Sequence, residues 1–220
     1  MSFEGFPAEL PDFLWGLTLN NEKPWFEANR DRFERCLKQP FSALAWDCLE
    51  EMERRYPGMT PGLHIARIHR DARRLFGRGP YKDHLWFTLG KTSALYASEP
   101  RFWFEIDAHS WSCGMGFFRG DASLYERWRA SMDDNPKPLE KLVRAINRQN
   151  YFTFCSRPYK KPKGDPGKLL YDWYNARDIA LEHEAFFEPD TVPGPALREE
   201  LTTAFGQLMP LYRYLLKLCD

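Results

Sequence analysis

The chain has 220 residues, 43% of them apolar and 16% aromatic, which is enough to bury a sizeable core and excludes disorder as its main state. Lys and Arg together number 31, as do Asp and Glu, so the net charge is +0 and any nucleic-acid contact would have to rest on a local basic patch. No run approaches the roughly 18 apolar residues of a membrane span, and Met1-Ser2-Phe3-Glu4-Gly5 lacks the basic and apolar regions of a signal peptide. Together with five widely spaced cysteines and no C-x-x-C pair, this points to free thiols in a reducing compartment, the cytoplasm.

In chain order, Pro7 to Leu19 predicts a short helix with Phe13, Leu14 and Leu17 on one face. Asn20-Asn21 interrupts it, and either residue is expected to cap a second helix over Glu22 to Leu37 that carries Trp25, Phe26 and Phe33. Pro40 is expected to close that helix. A third follows, with Phe41, Leu44, Ala45, Cys48, Leu49, Met52 and Tyr56 at helical spacing until Pro57-Gly58.

The middle changes period. Leu63 to Ile68, His84 to Leu89, Phe102 to Ala108 and Ser112 to Phe118 read as strands, and Phe102, Phe104 and Ile106 alternate with polar or wet neighbours. His109 to Trp111 is short enough for a hairpin connection, and Gly114 and Gly116 permit a bulge or close approach. Helices are expected over Asp121 to Met132, Pro138 to Gln149 and about Pro195 to Leu218, the last kinked or split at Pro210. Tyr151 to Cys155 and Ile179 to His183 are possible strands. The fold class is therefore α+β: a central antiparallel sheet with helices at the N- and C-terminal ends. A single domain over 1–220 is expected, with a helical layer to about residue 60, a sheet region to about 120 and a helical, loop-rich remainder.

The densest chemical feature is the stretch Arg67 to Lys82, with five Arg and one Lys against one Asp. Guanidinium groups bind carboxylate or phosphate through paired hydrogen bonds, and Gly77 and Gly79 let the backbone approach a ligand. The anion-site residues assigned on this basis are Arg67, Arg70, Arg73, Tyr81 and Lys82. Lys160 joins them from the Pro- and Gly-rich basic loop Arg157 to Lys168, read either as a lid over the cluster or as a solvated loop. The opposing reading of the Arg residues is an ion-pair network with Asp71, Glu105 and Asp107. The five histidines fall at no metal-ligand spacing, so no metal and no cofactor are assigned. No G-x-S-x-G occurs, and Cys113 and Cys155 read as core thiols.

The order of motifs adds a resemblance. Asn20-Asn21-Glu22-Lys23-Pro24-Trp25-Phe26-Glu27-Ala28-Asn29-Arg30 precedes Arg67-Ile68-His69-Arg70-Asp71-Ala72-Arg73 and Pro80-Tyr81-Lys82, followed by Phe102-Trp103-Phe104-Glu105-Ile106 and Gly114-Met115-Gly116-Phe117. Over nearly its whole length the chain resembles the DUF2461 family of uncharacterised, mostly bacterial proteins. The resemblance implies a compact α+β domain and supplies no reaction. The chain departs from the family pattern between Arg73 and Pro80, where Arg74-Leu75-Phe76-Gly77-Arg78-Gly79 lacks the usual Ser and Asp and carries an extra Arg. Two functions follow as expectations. One is binding of a small phosphate- or carboxylate-bearing ligand at the Arg-rich segment. The alternative is a non-catalytic protein- or nucleic-acid-interaction module with Tyr81, Trp86, Trp103 and Tyr159 as stacking rings.

Overall fold

The structure is a computed structural model that describes residues 2–59, 61–75, 77–91, 99–117, 122–187 and 191–219. Helix α1 (Leu10–Leu19) places Leu10, Phe13, Leu14 and Leu17 inward, as the spacing predicts. Helices α2 (Lys23–Ala28) and α3 (Arg30–Arg32) lead through a π-helical stretch at Phe33–Lys38 straight into α4 (Gln39–Arg55). Pro40 therefore does not end a helix here. The preceding turn is widened, with Gln39 N–H bonded five residues back to the Glu34 carbonyl. A widened turn relieves the clash of a proline ring with the turn before it, so the helical path continues.

Strands β1 (Pro61–Ile65), β2 (Leu85–Lys91), β3 (Pro100–Ile106) and β4 (Ser110–Phe117) follow, with a single 3₁₀ turn at Ala72–Arg74 after β1. Helices α5 (Ala122–Asp134) and α6 (Lys137–Gln149), strand β5 (Thr153–Cys155), the short α7 (Tyr171–Tyr174), strand β6 (Ala180–Phe186) and helix α8 (Leu197–Leu216) complete the chain. The six strands form one antiparallel sheet in the order β1-β2-β3-β4-β6-β5, and the fold class is α+β with helices at both ends of the chain. Phe118 and Asp121, the expected ends of β4 and α5, lie outside the described residues.

The elements divide between two compact units. The first comprises residues 1–89, 103–112 and 184–202. Its core sets Phe41, Leu44, Ala45, Cys48 and Met52 of α4 against the sheet, where Phe41, Phe87 and Phe104 meet with ring centroids 5.5–5.8 Å apart. The Phe, Leu and Met side chains among them each contribute roughly 1.5–3 kcal/mol by leaving water. The β3–β4 hairpin turns where expected, although two residues earlier than the expected start of the second strand. Asp107 makes that turn: its carboxylate accepts from the backbone N–H of His109 (2.7 Å) and Ser110 (2.8 Å). Asn20 and Asn21 do not cap α2, whose N-cap Glu22 makes no side-chain bond; Asn20 instead donates back to the Gly16 carbonyl at the end of α1 (3.0 Å). Trp25 is only half-buried, and its ring lies over Gly16, where a Cβ would strike it. The fully packed ring of that motif is Phe26.

The second unit comprises residues 90–102, 113–183 and 203–220. Helix α5 buries Leu124, Tyr125, Trp128 and Met132, and α6 buries Leu139, Val143 and Ile146 before ending on Asn150 in the left-handed region (φ 50°). Gly116 allows a close approach of strands: an added Cβ would land on the Ile179 carbonyl, and Phe117 N–H donates to that same oxygen (3.2 Å). Beyond residue 202, α8 packs Phe205 and Tyr212 on Phe102 at 5.2 and 4.9 Å. Pro210 does not split α8, which runs through it. The ring sits on the exposed side, so the Gly206 carbonyl that loses its partner faces the wetter side of the helix. Among the described residues, no helix is long and apolar enough to cross a membrane.

Candidate functional site

The Arg-rich segment lies in the first unit as a doubled-back ribbon. Ala66 N–H donates to the Trp86 carbonyl (2.9 Å), Lys82 N–H to Ile68 (2.8 Å) and Arg70 N–H to Pro80 (2.7 Å), around an antiparallel bridge between His69 and Tyr81. The intervening loop is organised by Asp71, whose carboxylate caps the 3₁₀ turn at Arg73 N–H (3.0 Å), and by Gly77 at φ +80°. Phe76 and the Arg74 side chain lie outside the described residues.

The Asn-Asn…Trp-Phe block grips this ribbon. Asn21 Nδ2 donates to the Tyr81 carbonyl and Asn21 Oδ1 accepts from Tyr81 N–H, both at 2.9 Å. Phe26 stacks on the Tyr81 ring (4.0 Å, 15°), and His69 packs edge-on against Phe26. Gly79 is required by the same contact, because a Cβ there would fall on the Asn21 side chain and carbonyl. Asn21→Ala removes both bonds to the Tyr81 backbone and is expected to lower stability by about 1–3 kcal/mol. A urea midpoint equal to that of the native chain would show the clamp to be idle.

The guanidinium groups fall into two classes. Arg70 and Arg73 are engaged. Arg70, with its side chain 11% exposed, donates through Nε to the Tyr81 carbonyl (2.7 Å) and through Nη2 to Asp83 Oδ1 (3.0 Å), an oxygen that His84 Nδ1 also reaches at 2.9 Å. Burial acts to raise the Asp83 carboxyl, but its own backbone N–H, His84 and Arg70 outweigh that and hold it below its ordinary value. Arg73 forks onto Asp71 at 3.0 and 2.9 Å. Of the three expected partners, Asp71 is the one Arg73 takes, whereas Arg70 pairs with Asp83 rather than with Glu105 or Asp107. Asp107 is spent on the hairpin amides, and acids closer in the chain reach the guanidinium groups first.

Arg67 and Arg78 form the second class: among the described residues neither guanidinium meets an acid or a hydrogen-bond acceptor. With Arg70, Arg73, Lys82 and Asp71 they line a cleft of about 810 Å³. Lys82 Nζ donates to the Arg67 carbonyl (2.5 Å) and lies 5.9 Å from the centre of the Trp86 ring. Burial, and then the charge of Arg70, pull the Lys82 ammonium below its ordinary value against the opposing pull of Glu105. The lining also has an aromatic part, with His64 and Trp86 rings 5.2 Å apart.

The structure thus brings together Arg67, Arg70, Arg73 and Lys82. Tyr81 is buried in the stack on Phe26 and does not line the cleft; it serves through its backbone. Lys160 lies in a loop of the second unit, where Asn175 pins the chain by accepting from Lys163 N–H (2.6 Å) and donating to Gly164 (3.0 Å). Sequence reasoning missed Arg78 and His64 as members of the wall. Arg78 stood in the motif, whereas His64 carried no signal, because only strand pairing sets it beside Trp86. Burial pushes the Cys36 thiol up to about 11 and raises that of Cys155, and Cys113 is fully enclosed. The family model described as "Conserved hypothetical protein (DUF2461)" matches residues 9–214. No curated protein matches the chain.

Proposed function

The chain belongs to the DUF2461 family, and we propose that it binds a small phosphate- or carboxylate-bearing ligand in the cleft around Arg67, Arg78 and Lys82. The observation that carries this reading is the pair Arg67 and Arg78. Both line the cleft without an acid among the described residues, while Arg70 and Arg73 beside them have theirs. An ion-pair network accounts for the second pair of arginines and not for the first. Burial, and then the charge of Arg70, already lower the Lys82 ammonium, so an anion entering the cleft relieves a standing electrostatic cost. Two parallel N–H donors on each guanidinium suit planar carboxylate or phosphate oxygens.

Phosphate is expected to raise the melting temperature of the native chain more than chloride at matched ionic strength. The gain is about 2.7 kcal/mol at roughly a hundred times the dissociation constant. Arg67→Gln combined with Arg78→Gln removes the phosphate-specific part while sparing Arg70, which the ribbon needs for its own folding. General stabilisation by exclusion of the salt from the surface persists in the variant. An equal response of variant and native chain would remove the anion reading and favour an interaction module.

A further inference from the structure

The second unit collects positive charge around one aromatic ring. Lys163 Nζ lies 4.9 Å from the centre of the Tyr159 ring, and the guanidinium carbons of Arg129 and Arg177 lie at 5.7 and 5.9 Å. Among the described residues none of the three cations has a carboxylate partner. Two of the acids nearby are engaged elsewhere. Asp178 accepts from Arg157 N–H (2.7 Å) and Arg157 Nε (2.5 Å), and Asp133, one turn beyond Arg129 on α5, accepts from the Tyr174 hydroxyl (3.1 Å). Arg129 Nη1 is enclosed and has no hydrogen-bond partner. A ring face attracts cations through its quadrupole but carries no net charge, so it leaves three like charges unneutralised. A buried guanidinium nitrogen without an acceptor is an unmet demand of the same kind.

Next to this cluster lies a cleft of about 340 Å³ walled by Phe154, Pro158, Tyr159, Pro162 and Tyr171. Phe154 is held rigid by stacking on Trp173 (4.0 Å, 15°), and Pro158 by its bridge to Ala176. Asp172 and Asn175 supply polar groups to the same wall. Asp172 repels an anion, which assigns the phosphate to the Tyr159 cations and the uncharged body to the cleft. We propose that the second unit binds a phosphate ester carrying a flat ring, with the phosphate on Arg129, Lys163 and Arg177 and the ring against the aromatic wall. This site is separate from the Arg67–Arg78 cleft and does not depend on that reading.

Calorimetric titration of the full chain with AMP, inorganic phosphate and adenosine tests it. Lys163 and Arg177 are exposed, so Lys163→Gln combined with Arg177→Gln removes charge without disturbing packing. Made in the Arg67→Gln/Arg78→Gln background, so that the first-unit cleft does not contribute, that double variant is expected to weaken AMP binding about tenfold or more. Arg67→Gln combined with Arg78→Gln leaves the second-unit AMP site intact. Tyr159→Leu abolishes the preference for AMP over inorganic phosphate. The proposal is overturned if, in the Arg67→Gln/Arg78→Gln background, adding Lys163→Gln and Arg177→Gln leaves AMP binding as tight as before. It is equally overturned if adenosine binds as well as AMP, or if AMP binding vanishes in the Arg67/Arg78 variant.

Discussion

Phe26→Ala is expected to cost about 3–5 kcal/mol of stability, the range for deleting a buried aromatic side chain. Phe26 is 2% exposed and stacks on Tyr81, whose backbone in turn receives Asn21 and Arg70. Losing the ring opens a cavity and frees Tyr81 to move, so the variant should also lose its phosphate-specific gain in melting temperature. Trp25→Ala, on a half-buried ring one residue earlier, should cost distinctly less. Chemical denaturation of the two variants side by side gives the comparison. A larger loss for Trp25 than for Phe26 would mean that the motif acts through its tryptophan, against the packing described here.

Trp128→Ala carries a comparable penalty of about 3–5 kcal/mol in the second unit. The side chain is fully enclosed, its Nε1–H donates to the Trp173 carbonyl at 2.8 Å, and the Trp173 and Tyr214 rings each lie 6.2 Å away. Trp128→Phe should recover much of the apolar packing yet still cost about 1–3 kcal/mol, because the Trp173 carbonyl loses its donor. Arg129 follows Trp128 on α5, so the alanine variant should also weaken AMP binding, whereas the phenylalanine variant should retain it. Urea unfolding and AMP titration of both variants check this. A phenylalanine variant as unstable as the alanine variant would place the whole effect in the indole hydrogen bond.

Much of the local structure was legible from residue spacing alone. Phe102, Phe104 and Ile106 alternate with wetter residues, and all three are fully buried on one face of β3. Phe41, Leu44, Ala45, Cys48 and Met52 recur at helical spacing and form the buried face of α4. In both cases the backbone period decides which side chains share a face, and that period is set by neighbours only a few residues apart. The concentration of arginine between residues 67 and 78 was equally plain, and so was the likeness to one family over nearly the whole chain.

What each arginine does was not legible. Arg67 and Arg70 are three residues apart in one motif, yet Arg70 is locked between the Tyr81 carbonyl and Asp83, while Arg67 lines the cleft without an acid. Asn21 reads as a helix cap because caps are local, but it spends both ends of its amide on Tyr81, sixty residues away. The same residue explains Gly79, which no turn rule required. Local spacing determined the elements, their buried faces and the position of the basic segment. Only the tertiary structure decided which charges are satisfied, because a guanidinium takes the acceptors that folding brings within about 3 Å, and those come from segments whose meeting no local period encodes.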